Sequence, residues 1–225
     1  SFSSSGIYTW GYRISSNQRD YGRGIAQGGD KLYLTGSVGA NTSFPLYPSN
    51  PVLKSGTNQD MFVACMDKFT GFTIWAFIQP GPANQEGISV DALPTTGEVF
   101  ITGYFITNIQ FPSWPLLIST GNEDTYVAKY DPSGNFLWAK QAGTLGRDMP
   151  SAITAHITGE VYVCGDYANT AVFSPWTLPD DGSSNIYVAK IACPAIVNNT
   201  IAANQTICAS TVPATLIGSL PGGGN

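Results

Sequence analysis

Asn122-Glu123-Asp124-Thr125-Tyr126-Val127-Ala128-Lys129-Tyr130-Asp131-Pro132-Ser133-Gly134-Asn135-Phe136-Leu137-Trp138 reads as strand, tight turn, strand. Tyr126 to Tyr130 is a short β-rich run. Asp131 to Asn135 is turn chemistry: Pro presets φ, Gly supplies a positive φ, and Asp and Asn cap the bend. Phe136 to Lys140 then resumes an apolar strand. The unit recurs upstream as Asp60-Met61-Phe62-Val63-Ala64-Cys65-Met66-Asp67, closed by Gly71 to Trp75. It recurs downstream, truncated, as Asn185-Ile186-Tyr187-Val188-Ala189-Lys190-Ile191. Self-similarity at a fixed period decides the architecture before any single motif can.

Working outward, three landmarks keep the same phase. Trp10, Trp75 and Trp138 lie 65 and then 63 residues apart, and each closes an apolar run: Ile7 to Ile14, Thr73 to Ile78, Phe136 to Gln141. Leu32-Tyr33-Leu34-Thr35-Gly36, Val99-Phe100-Ile101-Thr102-Gly103 and Val161-Tyr162-Val163-Cys164-Gly165 match position for position, each after a turn and a shorter apolar run. Phe44-Pro45, Phe111-Pro112 and, more loosely, Phe173-Ser174-Pro175 follow. Prolines forbid a central strand, so this landmark predicts a long loop. Each repeat thus holds four short strands. Near-continuous apolar runs such as Val99-Phe100-Ile101 predict sheets buried on both faces. The expected fold is all-β: a β-propeller of four-stranded antiparallel blades, about three in this chain. Three blades make an incomplete or a shared ring. Residues 1–193 carry the blades, in repeats of about 20–80, 84–142 and 147–193. Strand 7–14 belongs to, or closes, another blade. Residues 194–225 break the pattern and read as a linker or the beginning of a following domain.

Composition narrows the class. Charged residues are 11% of the 225, and 25 Gly and 15 Pro accompany 12% aromatics, which suits a turn-rich extracellular β protein. Net charge is −5 and the Lys and Arg are scattered, so no basic patch is available for nucleic acid. No apolar run reaches the length of a membrane helix, and no signal peptide is visible at Ser1, so the chain reads as mature or as a piece of something longer. Cys65 and Cys164 fall inside strand runs and are expected as buried thiols. Cys193 and Cys208 bracket a polar segment and can pair as a disulfide in an oxidising compartment.

The string Asp-x-Tyr-Val-Ala-Lys-x-Asp-Pro-Ser-Gly-Asn-x-x-Trp at Asp124–Trp138, with Gly143–Asp148 and Gly159–Gly165, resembles the SBBP family of bacterial β-propeller repeats. The resemblance covers about residues 7–191. It departs where Lys68-Phe69-Thr70-Gly71 replaces the Asp-Pro-Ser-Gly turn, where Cys65 replaces the Lys, and where the third repeat lacks its Trp strand. The tail resembles the start of Ig-like repeats in large surface proteins exported by type IX secretion. These resemblances imply a module of a large secreted or cell-surface protein.

Candidate chemistry is sparse. His156 stands alone beside a turn, with no nucleophile elbow, and reads as a solvated loop residue. Asp60, Asp67, Asp124 and Asp131 recur with the repeat, as structural residues do; Glu86, Asp91, Glu123, Asp166, Asp180 and Asp181 do not recur and could gather on one face. Asp180 to Asn185 lacks the full calcium-loop pattern, and no metal or cofactor is expected. Tyr47, Trp114 and Trp176 recur in the Phe-Pro landmark. Exposed, they would stack on sugar rings; otherwise they pack as wedges between blades. The expected function is a non-catalytic structural or adhesin-like binding module, extracellular or at the bacterial surface. Its partners would be further blades or domains, a surface glycan or a protein. The alternatives are an extracellular glycan hydrolase or lyase and a homo-oligomeric lectin.

Overall fold

Turn residues cut the chain into short runs rich in β-branched and aromatic side chains, and strands are what such runs form. A computed structural model describes residues 6–44, 52–53 and 58–192. The fold is all-β, with antiparallel sheets of two to four strands and no helix among the described residues. β1 (Tyr21–Gly28), β2 (Lys31–Val38), β5 (Asp60–Asp67) and β6 (Thr73–Gln79) form the first sheet, in that spatial order; β3 (Thr42–Ser43) and β4 (Val52–Leu53) pair as a ribbon between β2 and β5. β7 (Gln85–Ala92), β8 (Val99–Ile109), β9 (Leu117–Tyr130) and β10 (Phe136–Ala142) form the second. β11 (Asp148–Ala155), β12 (Val161–Ala168) and β15 (Ser184–Ile191) form a three-stranded third sheet, with β13 (Ala171–Phe173) and β14 (Trp176–Leu178) as a ribbon beside it. The chain divides into two units, Ser1–Ile191 and Ala192–Asn225, and every sheet belongs to the first.

The repeat extends to irregularities. The first strand of each sheet carries one extra residue at the same place: Arg23, Ile88 and Ser151. Such a bulge pushes a carbonyl toward the neighbouring strand. There the recurring glycine faces it. A Cβ on Gly36, Gly103 or Gly165 would lie 1.8 Å from the Tyr21 carbonyl oxygen, 2.0 Å from that of Glu86 and 2.0 Å from that of Met149. No larger residue fits. A second shared bulge leaves Ile74 and Leu137 unpaired and pointing to solvent, each 42% exposed.

The sheets stack. The rear face of the first (Tyr33, Met61, Val63, Trp75) packs on the front face of the second (Val90, Ile101, Tyr126, Ala128). The rear face of the second (Phe100, Val127, Trp138) packs on the front face of the third (Ile153, Val163, Tyr187). Trp75 meets Tyr33 with ring centroids 6.0 Å apart, and Trp138 meets Phe100, the equivalent aromatic, at 6.2 Å. The two tryptophans occupy like surroundings.

Two expectations change in detail. The Phe-Pro landmark is a loop over residues 110–116 in the second repeat, carried at the tip of an extended hairpin, and a tight turn in the third. In the second repeat β8 and β9 continue as a hairpin to the pair Ile109↔Leu117, and in the third the landmark folds as the β13–β14 ribbon. Pro112 and Pro175 sit in the connecting turns, where no ladder amide is needed, and Pro45 lies outside the described residues. Residues 7–14, expected as a strand, pair with no strand; the one bridge is at Ser15, to Ser43. An extended segment becomes a strand only when a neighbour satisfies its amides, and among the described residues this one has no such neighbour.

Candidate functional site

The Phe-Pro landmark serves packing first. Its phenylalanine lands on the aromatic of the third long strand in every repeat: Phe44 on Phe62 at 5.6 Å, Phe111 on Tyr126 at 5.6 Å, Phe173 on Tyr187 at 4.6 Å. Three residues further on, the second aromatics diverge. Trp114 is half-buried and meets Phe136 edge-on at 5.8 Å, as a wedge would. Trp176 closes the two-residue turn opposite Phe173 and is 74% exposed. Tyr47, Cys193 and Cys208 lie outside the described residues. The three aromatics are thus not three copies of one site; Trp176 alone of the described pair offers a ring face to solvent.

The acids sort by role. Asp67 Oδ1 accepts from the Phe69 and Thr70 amides, and Asp131 Oδ1 from those of Ser133 and Asn135, so both shape turns and are held below the usual carboxylate range: in Asp67 the amide and hydroxyl of Thr70 do this, in Asp131 the Asn135 side chain. Asp180 and Asp181 accept from amides of their own loop, Gly182 and Ser183. Glu86 is buried and takes a two-pronged ion pair from Arg23, at 2.9 and 3.2 Å, across the first and second sheets. Asp91 Oδ2 accepts the Ala155 amide at 2.8 Å, tying the second sheet to the third. His156 Nδ1 contacts Thr158 Oγ1 in an exposed turn. Glu86 and Asp91 thus fasten separate places between sheets, and Asp180 and Asp181 shape a loop.

The arrangement that sequence reasoning missed is a buried pair of carboxylates, Asp124 and Asp148, where the second sheet meets the third. Both are fully buried. Asp124 Oδ2 accepts from the Thr120 amide and from Gln141 Nε2 at 2.7 Å, and Asp148 Oδ2 accepts the Thr144 amide at 2.9 Å. The Oδ1 atom of each has no hydrogen-bond partner. Gly143, at φ +138°, leaves the space between them: a Cβ there would sit 2.9 Å from Asp124 Oδ1 and 2.9 Å from Asp148 Oδ2. Burial pushes the Asp148 carboxyl up to about 6, against the pull of the Thr144 amide and with the help of the Asp124 charge. Burial raises Asp124 as well. Burial thus disfavours the charged form of both groups. They are closed off from any polymeric substrate. Among the described residues no group of three or more His, Cys, Asp or Glu is arranged to hold a metal ion.

No family model and no curated protein matches the chain. No helix among the described residues is long and apolar enough to cross a membrane.

The thiols behave as packing. Cys65 is free and buried, and burial pushes it up to about 11; Cys164 is free and half-buried.

Proposed function

We propose that this chain is a non-catalytic structural or binding module of a large secreted or cell-surface bacterial protein, with its sheets arranged as blades of a β-propeller. One observation carries the reading: two successive borders between sheets are built alike, from the same bulge, the same glycine and the same tryptophan–aromatic contact. A repeated wedge is a scaffold that differs from copy to copy in what it displays at its rim. Supporting it, the charged groups serve turns and seams, and the buried carboxylates are out of a substrate's reach. The tip of the β13–β14 ribbon, with Trp176, is the surface on which a glycan ring or a partner's apolar side chain would rest.

The test uses the full chain and a panel of bacterial and plant-type polysaccharides. The expected outcome is retention of at least one polymer or cell surface, with no new reducing ends or unsaturated products. Trp176→Ala weakens that retention about tenfold or more, a loss typical of one stacked aromatic. Product release that survives purification overturns the reading in favour of a glycan-cleaving enzyme.

A further inference from the structure

The stack has two unlike ends, and each carries half of the border that repeats inside it. At the rear, Ile186 and Val188 on β15 are 83% and 74% exposed, and Tyr162 on β12 is 37% exposed. The registers of β5, β9 and β15 on their neighbours make these residues the counterparts of Met61, Val63 and Tyr33 in the first sheet, all 0% exposed. What covers Met61 and Val63 is the front face of the next sheet; nothing described covers Ile186 and Val188. β15 is also an edge: β5 and β9 each have a fourth strand beyond them, β6 and β10, and β15 has none among the described residues.

At the front, Ile25 is 66% exposed, whereas its counterparts Val90 and Ile153 are 5% and 7% exposed against the preceding sheet. The N-terminal segment sits beside this sheet as a fourth strand sits beside the following one. Trp75 Nε1 on β6 donates to the Pro132 carbonyl in the turn of the second sheet, at 3.2 Å. Trp10 Nε1 donates to the Lys68 carbonyl, the same place in the turn of the first sheet, also at 3.2 Å. Gly134 is capped by Trp75 and Phe77; Gly71, its counterpart, is capped by Trp10 and Tyr12. Segment 7–14 therefore holds the position of an outer strand whose own sheet is missing.

We propose that the third sheet binds the front end of a second copy of this chain, head to tail. Segment 7–14 of that copy supplies the fourth strand on β15, and its first sheet covers Ile186 and Val188. The registers Trp75↔Cys65 and Trp138↔Lys129 fix the pairing: Trp10 falls opposite Lys190 and Tyr12 opposite Val188. A second copy is the occupant the observations favour because one chain presents both the bare edge and the orphan strand, in matching register. Strand addition satisfies the edge amides and buries an apolar face in one step. The contact joins unlike surfaces, so it generates a ring when its rotation closes. Two copies would carry six sheets, within the range of closed propellers.

The inference rests on the stacked-blade reading above. The experiment is light scattering on the full chain over a dilution series, with two variants: Ile186→Lys/Val188→Lys at the rear and Trp10→Ala at the front. The expected result is a particle of at least two chains for the parent and of one chain for each variant, with far-ultraviolet dichroism unchanged. Mixing the two variants restores a two-chain species, because one keeps an intact rear and the other an intact front. A parent that stays monomeric throughout, an assembly indifferent to either variant, or a mixture that stays monomeric overturns the docking. Monomeric behaviour leaves the binding-module reading standing, whereas polysaccharide turnover overturns that reading and leaves the docking standing.

Discussion

The border between the first and second sheets and the border between the second and third share an apolar design and differ in how they close their polar seams. In the first, Glu86 is met by Arg23 and by Ser37 Oγ at 2.9 Å, and the buried Gln85 lies beside Gly81. In the second, Asp148 stands where Gln85 stood and faces Asp124 across Gly143. Gln85 Nε2 donates to the Asn108 carbonyl, so the first seam has a neutral amide where the second has a carboxyl whose charged form burial disfavours. Shape repeats, then, while the chemistry of the seam varies. The repeated part must carry most of the stability.

That claim breaks most readily at the tryptophans. Trp75 is 6% exposed and Trp138 only half-buried. Trp75→Ala should cost about 4 kcal/mol and Trp138→Ala about half as much. Urea denaturation of the two variants measures both; a cost near zero at either position would mean that its border does not rest on the tryptophan contact. Next comes the glycine under the bulge. Gly103→Ala sets a Cβ 2.0 Å from a backbone oxygen, which cannot swing aside, so a loss of about 3 kcal/mol is expected. A melting temperature within a degree or two of the parent would sink the bulge argument.

A third comparison separates covered from bare copies of one position. Val63 is 0% exposed and Val188 74% exposed. In a concentration range where the chain is a single copy, Val63→Ala should cost about 2.5 kcal/mol and Val188→Ala less than about 0.5. Should both cost the same at every dilution, β15 is covered by the chain itself.

The repeat, the strands and the turns were legible because their signals are local: a positive-φ glycine, a proline, an apolar run. Gly71 and Gly134, at φ +72° and +87°, sit where the turn chemistry put them. The bulges at Arg23, Ile88 and Ser151 were not legible, since the three residue types share nothing; only the glycine opposite betrayed the spot. Segment 7–14 read as a strand from its apolar run and the phase of Trp10, yet strand formation depends on a partner, and no stretch of sequence names its own partner. The Asp124–Asp148 pair escaped because both positions recur, Asp124 with Asp60 and Asp148 with Asp20, so each read as a structural residue of its own repeat rather than as a member of a pair.

The smallest effect is the most diagnostic of the seams. Asp148 in the folded chain titrates at about 6, above the ~3.9 of an unfolded Asp. The folded state therefore binds this proton more tightly than the unfolded state does. The stability so gained is complete below about pH 4 and is lost as pH rises through about 6. Asp148→Asn leaves the Thr144 amide an oxygen to bond and removes the titrating carboxyl, which puts a neutral amide in the second seam as in the first. The variant should match the parent at pH 4 and exceed it at pH 7.5 by roughly 1–2 kcal/mol, less than the full shift implies because a buried site relaxes. Denaturant midpoints of both proteins at pH 4, 5, 6 and 7.5 supply the difference, and taking the difference cancels the titrating groups remote from Asp148. A gap that is constant across this range would mean that folding does not raise the Asp148 carboxyl.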